Sequence, residues 1–129
     1  MVVIDTNVLV RFLTRDDEEQ ARRARALVEA ESVYLPLTVA LETEWVLRAA
    51  YRRATAEIVA GLRGFAGLAS VTVEAPERLA RALALAEDGM DFPDALHLCA
   101  ANPGWSFATF DLRLIKAAKG RGLAPTRAP

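Results

Sequence analysis

Val2-Val3-Ile4-Asp5-Thr6-Asn7-Val8-Leu9-Val10-Arg11-Phe12-Leu13 is the stretch on which the reading of the whole chain turns. A short β-branched apolar run breaks at Asp5-Thr6-Asn7, and apolar residues then resume at helical spacing. That grammar describes the C-terminal end of a buried parallel strand passing into a helix, with Thr6 or Asn7 placed to cap the helix. In α/β sheets, ligands and catalytic groups gather at this edge. Asp5 therefore raises the question of which other acids the chain delivers there.

The same grammar repeats downstream. Glu18–Ala30 reads as a helix capped by Asp17 or Asp16, and its Arg22, Arg23 and Arg25 read as a solvated face. Val33–Pro36 reads as a second strand, and Thr38 as the cap of a long helix over Val39–Arg53 that carries Glu42 near its first turn. A helix over Ala56–Ala66 capped by Thr55, a strand at Ser70–Val73 and a helix from Pro76 to Glu87 follow. Asp91-Phe92-Pro93-Asp94 then opens an apolar helix over Ala95–Ala101. Trp105–Phe110 reads as a buried strand ending in Asp111. A helix over Leu112–Lys119 and a short strand at Leu123–Pro125 close the pattern. Strands alternating with helices predict an α/β fold, a three-layer α/β/α sandwich around a mostly parallel sheet of four to five strands. No repeat or linker divides residues 1–129, so one domain is expected.

Asp5 and Asp111 each follow an apolar strand, while Glu42 and Asp94 each sit at a helix start. In a parallel sheet those positions share the C-terminal edge. Four carboxylates there repel one another unless they take up protons or a cation. A hard divalent ion such as Mg²⁺, bound by carboxylates and phosphate oxygens, meets that need and points to phosphodiester hydrolysis. The structural alternative is that Asp5 is a turn residue, Asp111 a helix cap, and Asp91 with Asp94 a capping pair. An acid at every one of these positions, where Ser, Thr or Asn would cap as well, favours the metal reading. Asp91 is the weakest candidate, since an N-cap role explains it well and Asp94 lies one turn nearer the buried helix. Glu44 faces about 200° away from Glu42 round the helix and is expected in solvent. Thr6, Asn7 and Thr109 are candidates to hydrogen-bond a ligating carboxylate.

Other residues read as structure. His97 and Cys99 have no second Cys or His to complete a zinc set, so both are assigned to the core with Trp45, Trp105 and the phenylalanines. Arg11, Arg48, Arg52 and Arg53 could take phosphate contacts, with a solvated or ion-paired helix face as the alternative. A net charge of −1 gives no global attraction to nucleic acid, a lone cysteine gives no internal disulfide, and no apolar run is long enough to span a membrane. A cytoplasmic location is expected. A phospho-acceptor signalling module, the alternative from a different class, would want a late-strand lysine and an isolated Asp. A dehalogenase-type phosphatase would want an acid at position 7, where Asn7 stands.

Asp5-Thr6-Asn7-Val8-Leu9, Thr38–Leu47 around Glu42, Asp91-Phe92-Pro93-Asp94-Ala95-Leu96-His97-Leu98 and Thr109-Phe110-Asp111 together resemble a PIN-domain protein, and more narrowly the VapC toxins of toxin–antitoxin modules. Pro93 departs from the pattern, which more often has a small residue there. The resemblance implies Mg²⁺- or Mn²⁺-dependent endoribonuclease activity on RNA, homodimerisation, and inhibition by a small cognate antitoxin. It further implies that Asp5, Glu42, Asp94 and Asp111 coordinate metal, with Asp91 an outer member. A housekeeping RNA-processing nuclease is the alternative role within the same fold.

Overall fold

Strands and helices alternate through Met1–Pro129, all of which the computed structural model describes. The chain divides into two units, Met1–Pro76 and Glu77–Pro129.

In the first unit, β1 (Val2–Val3) leads through Asp5 into α1 (Thr6–Thr14), followed by α2 (Glu18–Ala30), β2 (Val33–Leu35), α3 (Leu37–Ala49), α4 (Thr55–Ala66) and β3 (Val71–Val73). The strands form a parallel sheet in the order β1-β2-β3, with Val2 opposite Val33 and Val33 opposite Val71. Parallel neighbours require crossovers, which the helix pairs α1–α2 and α3–α4 supply. The central strand buries Val33 and Leu35 completely, as a strand covered on both faces does. Ala21, Ala24 and Val28 form the buried stripe of α2, small enough for α1 to approach closely. Phe12 of α1 meets Phe65 of α4 edge-on at 5.1 Å, and the Arg25 guanidinium lies 4.7 Å over the Phe12 ring. Arg25 thus departs from the solvated face expected of it, while Arg22 and Arg23 remain exposed.

Several local expectations are corrected. Asp5, rather than Thr6 or Asn7, caps α1, so the helix begins at Thr6. Pro36, rather than Thr38, is the N-cap of α3, and Leu37 N–H donates to Glu74 Oε1 at 3.3 Å. An acceptor from just past β3 thus serves a helix end whose own cap offers none. With α3 starting at Leu37, Glu42 lies beyond its first turn. Ala54, rather than Thr55, precedes α4, and Glu57 Oε1 accepts from the Ala54 N–H at 3.4 Å. The buried stripe of α3 runs through Leu37, Ala40, Thr43, Glu44 and Leu47. Trp45 falls off that stripe and is 57% exposed, not core.

The second unit contains α5 (Pro76–Glu87), α6 (Phe92–Leu98), β4 (Phe107–Ala108), α7 (Leu112–Ala118) and β5 (Thr126–Arg127). Leu79, Ala82, Leu83 and Ala86 make the buried stripe of α5. Strands β4 and β5 pair in parallel, Phe107 opposite Thr126. The five strands match the expected number and every pairing is parallel, although they form a three-stranded and a two-stranded sheet. The buried strand expected over Trp105–Phe110 shrinks to two residues. Gly104 at φ +85° and the Trp105 N–H to Asn102 carbonyl bond of 3.0 Å place Trp105 in a turn. Trp105 is 58% and Phe110 85% exposed. The last strand follows Pro125, which has no N–H to give a ladder, instead of ending there. The helix after Asp91 starts at Phe92 and exposes His97, whereas Cys99 is buried as expected. No helix is long and apolar enough to cross a membrane.

Candidate active site

In the first unit, the chain leaves β1 at Ile4 and turns at once into α1, which fixes Asp5 at the strand's carboxyl end. Its Oδ1 accepts from the Thr6 N–H at 2.7 Å, and its carbonyl accepts from Val8 and Leu9. Its Oδ2 takes no hydrogen bond from the protein. Thr6, buried in the first turn of α1, donates its hydroxyl to Glu42 Oε1. The backbone of Thr6 therefore holds one acid and its side chain another, which brings Asp5 and Glu42 to the same residue. Asn7 makes no hydrogen bond to either acid and lines a groove between α1 and α2.

Glu44 contradicts its expected place in solvent. It is 5% exposed, and its two oxygens accept from Arg48 Nε at 3.0 Å and Nη2 at 2.9 Å. The 200° separation from Glu42 holds, but it is Glu42 that stands on the open side. The unassigned arginines are ion-paired: Arg11 with Asp16 through Nη1, Arg48 with Glu44 and Arg53 with Glu57, of which Arg11 keeps Nη2 without a protein acceptor.

In the second unit, Asp91 is the N-cap of α6, yet its side chain makes no capping hydrogen bond. Asp94 sits in the first turn, half-buried. Burial holds the Asp94 carboxyl above its ordinary range; the charges of Asp91 and Asp111 and a hydrogen bond with Asp91 push it the same way, against His97. Asp91 and Asp111 thus act on Asp94 as like charges do. Asp111 is also the N-cap of α7, its Oδ1 accepting from Arg113 N–H at 2.9 Å and Leu114 N–H at 3.2 Å. The capping alternative is therefore realised for one oxygen of Asp111 and leaves Oδ2 without a protein donor. Thr109 Oγ1 accepts from the Asp111 backbone N–H at 3.0 Å, so it orients the residue rather than its carboxylate.

No three His, Cys, Asp or Glu side chains are gathered in a geometry that could hold a metal ion. The donors fit a hard cation by their chemistry: all are carboxylates, Asp5 and Asp111 each keep one oxygen unused, and Asp94 is destabilised as an anion. Sequence reasoning missed the Thr6–Glu42 bond, because Thr6 adjoins Asp5 and its nearer acid drew the assignment. The burial of Glu44 had a signal in its spacing to Arg48, four residues on, which suits an intrahelical pair.

The model of the PIN domain family matches residues 2–120, across both units. No curated protein and no solved structure matches the chain. With its parallel α/β elements in the matching span, the chain belongs to the PIN-domain family, whose members are generally metal-dependent nucleases and typically act on RNA.

Proposed function

We propose that this protein is a Mg²⁺- or Mn²⁺-dependent endoribonuclease acting as the toxin of a toxin–antitoxin module, in the cytoplasm, as a homodimer inhibited by a small cognate antitoxin. The observation that carries the nuclease reading is the recurrence of acids at Asp5, Glu42, Asp94 and Asp111 within the matched span. The toxin role rests on the resemblance of the motifs around these acids to VapC toxins. The four acids are the proposed metal ligands, with Asp91 an outer member, within a single catalytic domain over residues 1–129.

A bound divalent ion supplies Lewis acidity toward water and toward the scissile phosphate. The residues of the chain set the conditions for it. Thr6 fixes the rotamer of Glu42 by its hydroxyl and of Asp5 by its N–H, so neither acid is free to swing. The Thr109 hydroxyl and the first turn of α7 hold Asp111 by its backbone and by Oδ1, leaving Oδ2 as the oxygen to be donated. Asp94, raised by burial and by its acidic neighbours, gives up its proton more readily when a cation offsets them.

The test is cleavage of a structured RNA by the purified chain with Mg²⁺ or Mn²⁺, with EDTA, and with Asp5→Asn or Asp94→Asn. Internal cleavage that disappears in EDTA and in both variants is expected; full activity in any of the three overturns the nuclease mechanism. Growth arrest on expression in a bacterial host, absent for Asp5→Asn, is expected of a toxin. Normal growth with active enzyme would favour an RNA-processing role instead.

A further inference from the structure

A groove of about 440 Å³ runs between α1 and α2 in the first unit, outside the set of acids. Its apolar surface comes from Val8, Ala24 and Leu27, and its polar surface includes two arginines, Arg11 from α1 and Arg23 from α2. Arg11 is oriented by its neighbours: Nε donates to Gln20 at 2.8 Å, and Nη1 donates to Asp16 at 2.8 Å and to the Tyr51 hydroxyl at 2.9 Å. Its Nη2 has no protein acceptor. Arg23 is exposed and has no hydrogen-bond or ion-pair partner, and Asn7 lines the groove with its side chain in no hydrogen bond. An anion bound here would meet one guanidinium already held in place and one free to close on it.

We infer that this groove seats one nucleotide of the RNA strand beside the bond to be cut, its phosphate on Arg11 and Arg23 and its ribose and base against Val8, Ala24 and Leu27. The guanidinium fork suits a phosphate, and an apolar floor suits the face of an unstacked base. The groove lies along the helix that Asp5 caps. Asn7 lines it two residues after Asp5, and Arg11 lies six residues after Asp5 on the same helix, about 9 Å along the axis. A strand anchored at Arg11 and Arg23 is therefore led along α1 toward its capping acid. In a protein with a net charge of −1, such local anchoring supplies the attraction that the overall charge does not. The inference rests on the ribonuclease reading and adds where the strand is gripped.

The experiment is fluorescence anisotropy of a labelled single-stranded RNA of about ten nucleotides with the full chain in EDTA, where binding is read without cleavage. Arg23→Ala is expected to weaken binding about five- to tenfold and to lower the salt slope by about one, with Arg23→Lys between the two proteins. Arg22→Glu, on the same helix but outside the groove, controls for loss of general positive charge and should stay within about twofold of the unaltered chain, against a larger loss for Arg23→Glu. Equal losses for Arg22→Glu and Arg23→Glu, or no loss for Arg23→Ala, overturn the inference. So does Arg23-dependent binding of an acidic amphipathic peptide with RNA binding indifferent to Arg23, which would make the groove a protein-docking site. Metal-dependent cleavage lost in Asp5→Asn, together with RNA binding indifferent to Arg23, refutes the groove alone. The reverse pattern refutes the nuclease reading alone.

Discussion

The hydroxyl of Thr6 donates to Glu42 Oε1 across 36 positions of sequence, while the N–H of Thr6 is bound by Asp5 Oδ1. One buried residue at the start of α1 thus determines where two proposed metal ligands stand. Thr6→Val keeps the shape and removes the hydroxyl. Loss of a partner that orients a metal ligand typically costs about 10- to 100-fold in metal affinity or activity. The expected outcome is a shift of that order in the Mg²⁺ concentration that half-saturates RNA cleavage, with thermal unfolding lowered by no more than about 1 kcal/mol.

Asp111 separates two roles through two substitutions. Asp111→Asn retains a side-chain oxygen able to cap α7, so its unfolding should match that of the unaltered chain while cleavage falls at least about 100-fold. Asp111→Ala removes the cap as well and should cost a further ~1 kcal/mol in denaturant unfolding. If Asp111→Asn cleaves RNA normally, Asp111 is a cap and nothing more.

Glu42 and Glu44 should fail in opposite assays. Glu44 is buried against Arg48, which is itself 43% exposed on its side chain, so solvent screening reduces the loss from that of a fully buried pair. Glu44→Gln is expected to destabilise by about 1–2 kcal/mol without a change in metal dependence. Glu42→Gln should leave the urea midpoint nearly unchanged and abolish cleavage. Stability loss in Glu42→Gln with normal activity would reverse the assignment.

Acid should loosen the junction of α1, α2 and the end of α3 through Asp16. The Tyr51 hydroxyl, donating at 2.7 Å, holds the Asp16 carboxyl below the usual carboxylate range, and Thr14 and Arg11 add to this against desolvation. A depressed folded-state pKa stabilises fully above the unfolded value near 3.9 and is lost as pH falls through the lower folded value. Tyr51→Phe removes the largest cause. The difference in stability between pH 7 and pH 3, from unfolding curves at both, should therefore shrink in the variant; an unchanged difference would refute the role given to Tyr51.

Much of this was legible wherever short-range chemistry decides the structure. The bounds of α2 at Glu18–Ala30 and of α5 at Pro76–Glu87 follow from caps and spacing within a few residues, as does the turn after β1 that presents Asp5. What escaped depends on distant partners. Pro36 opens α3 because Glu74, far along the chain, supplies the acceptor that Thr38 was expected to provide. Trp45 was assigned to the core for its apolar ring, yet the stripe through Ala40, Glu44 and Leu47 leaves position 45 outside. Glu44 is expected in solvent because it faces away from Glu42, yet that side of α3 is the buried one, where Arg48 satisfies its charge within the helix. The places of Asp5 after β1 and of Asp111 before the last helix are legible in the sequence, whereas the hydroxyl bound to Glu42 is not, because nothing local relates residue 6 to residue 42.

The sheet of the first unit contains no hairpin. Val2 finds its partner only when Val33 exists, and Val33 finds its second partner only at Val71. At 5–20 residues per second, synthesis from Val2 to Val73 takes roughly 4–14 s, so the third strand joins only that long after the first has been made. The helices between can form in far less than that time, so the growing chain holds helices waiting on a sheet. Loop closure, more than side-chain packing, should therefore set the pace at which this protein folds, and refolding should be slower than its helix content alone suggests.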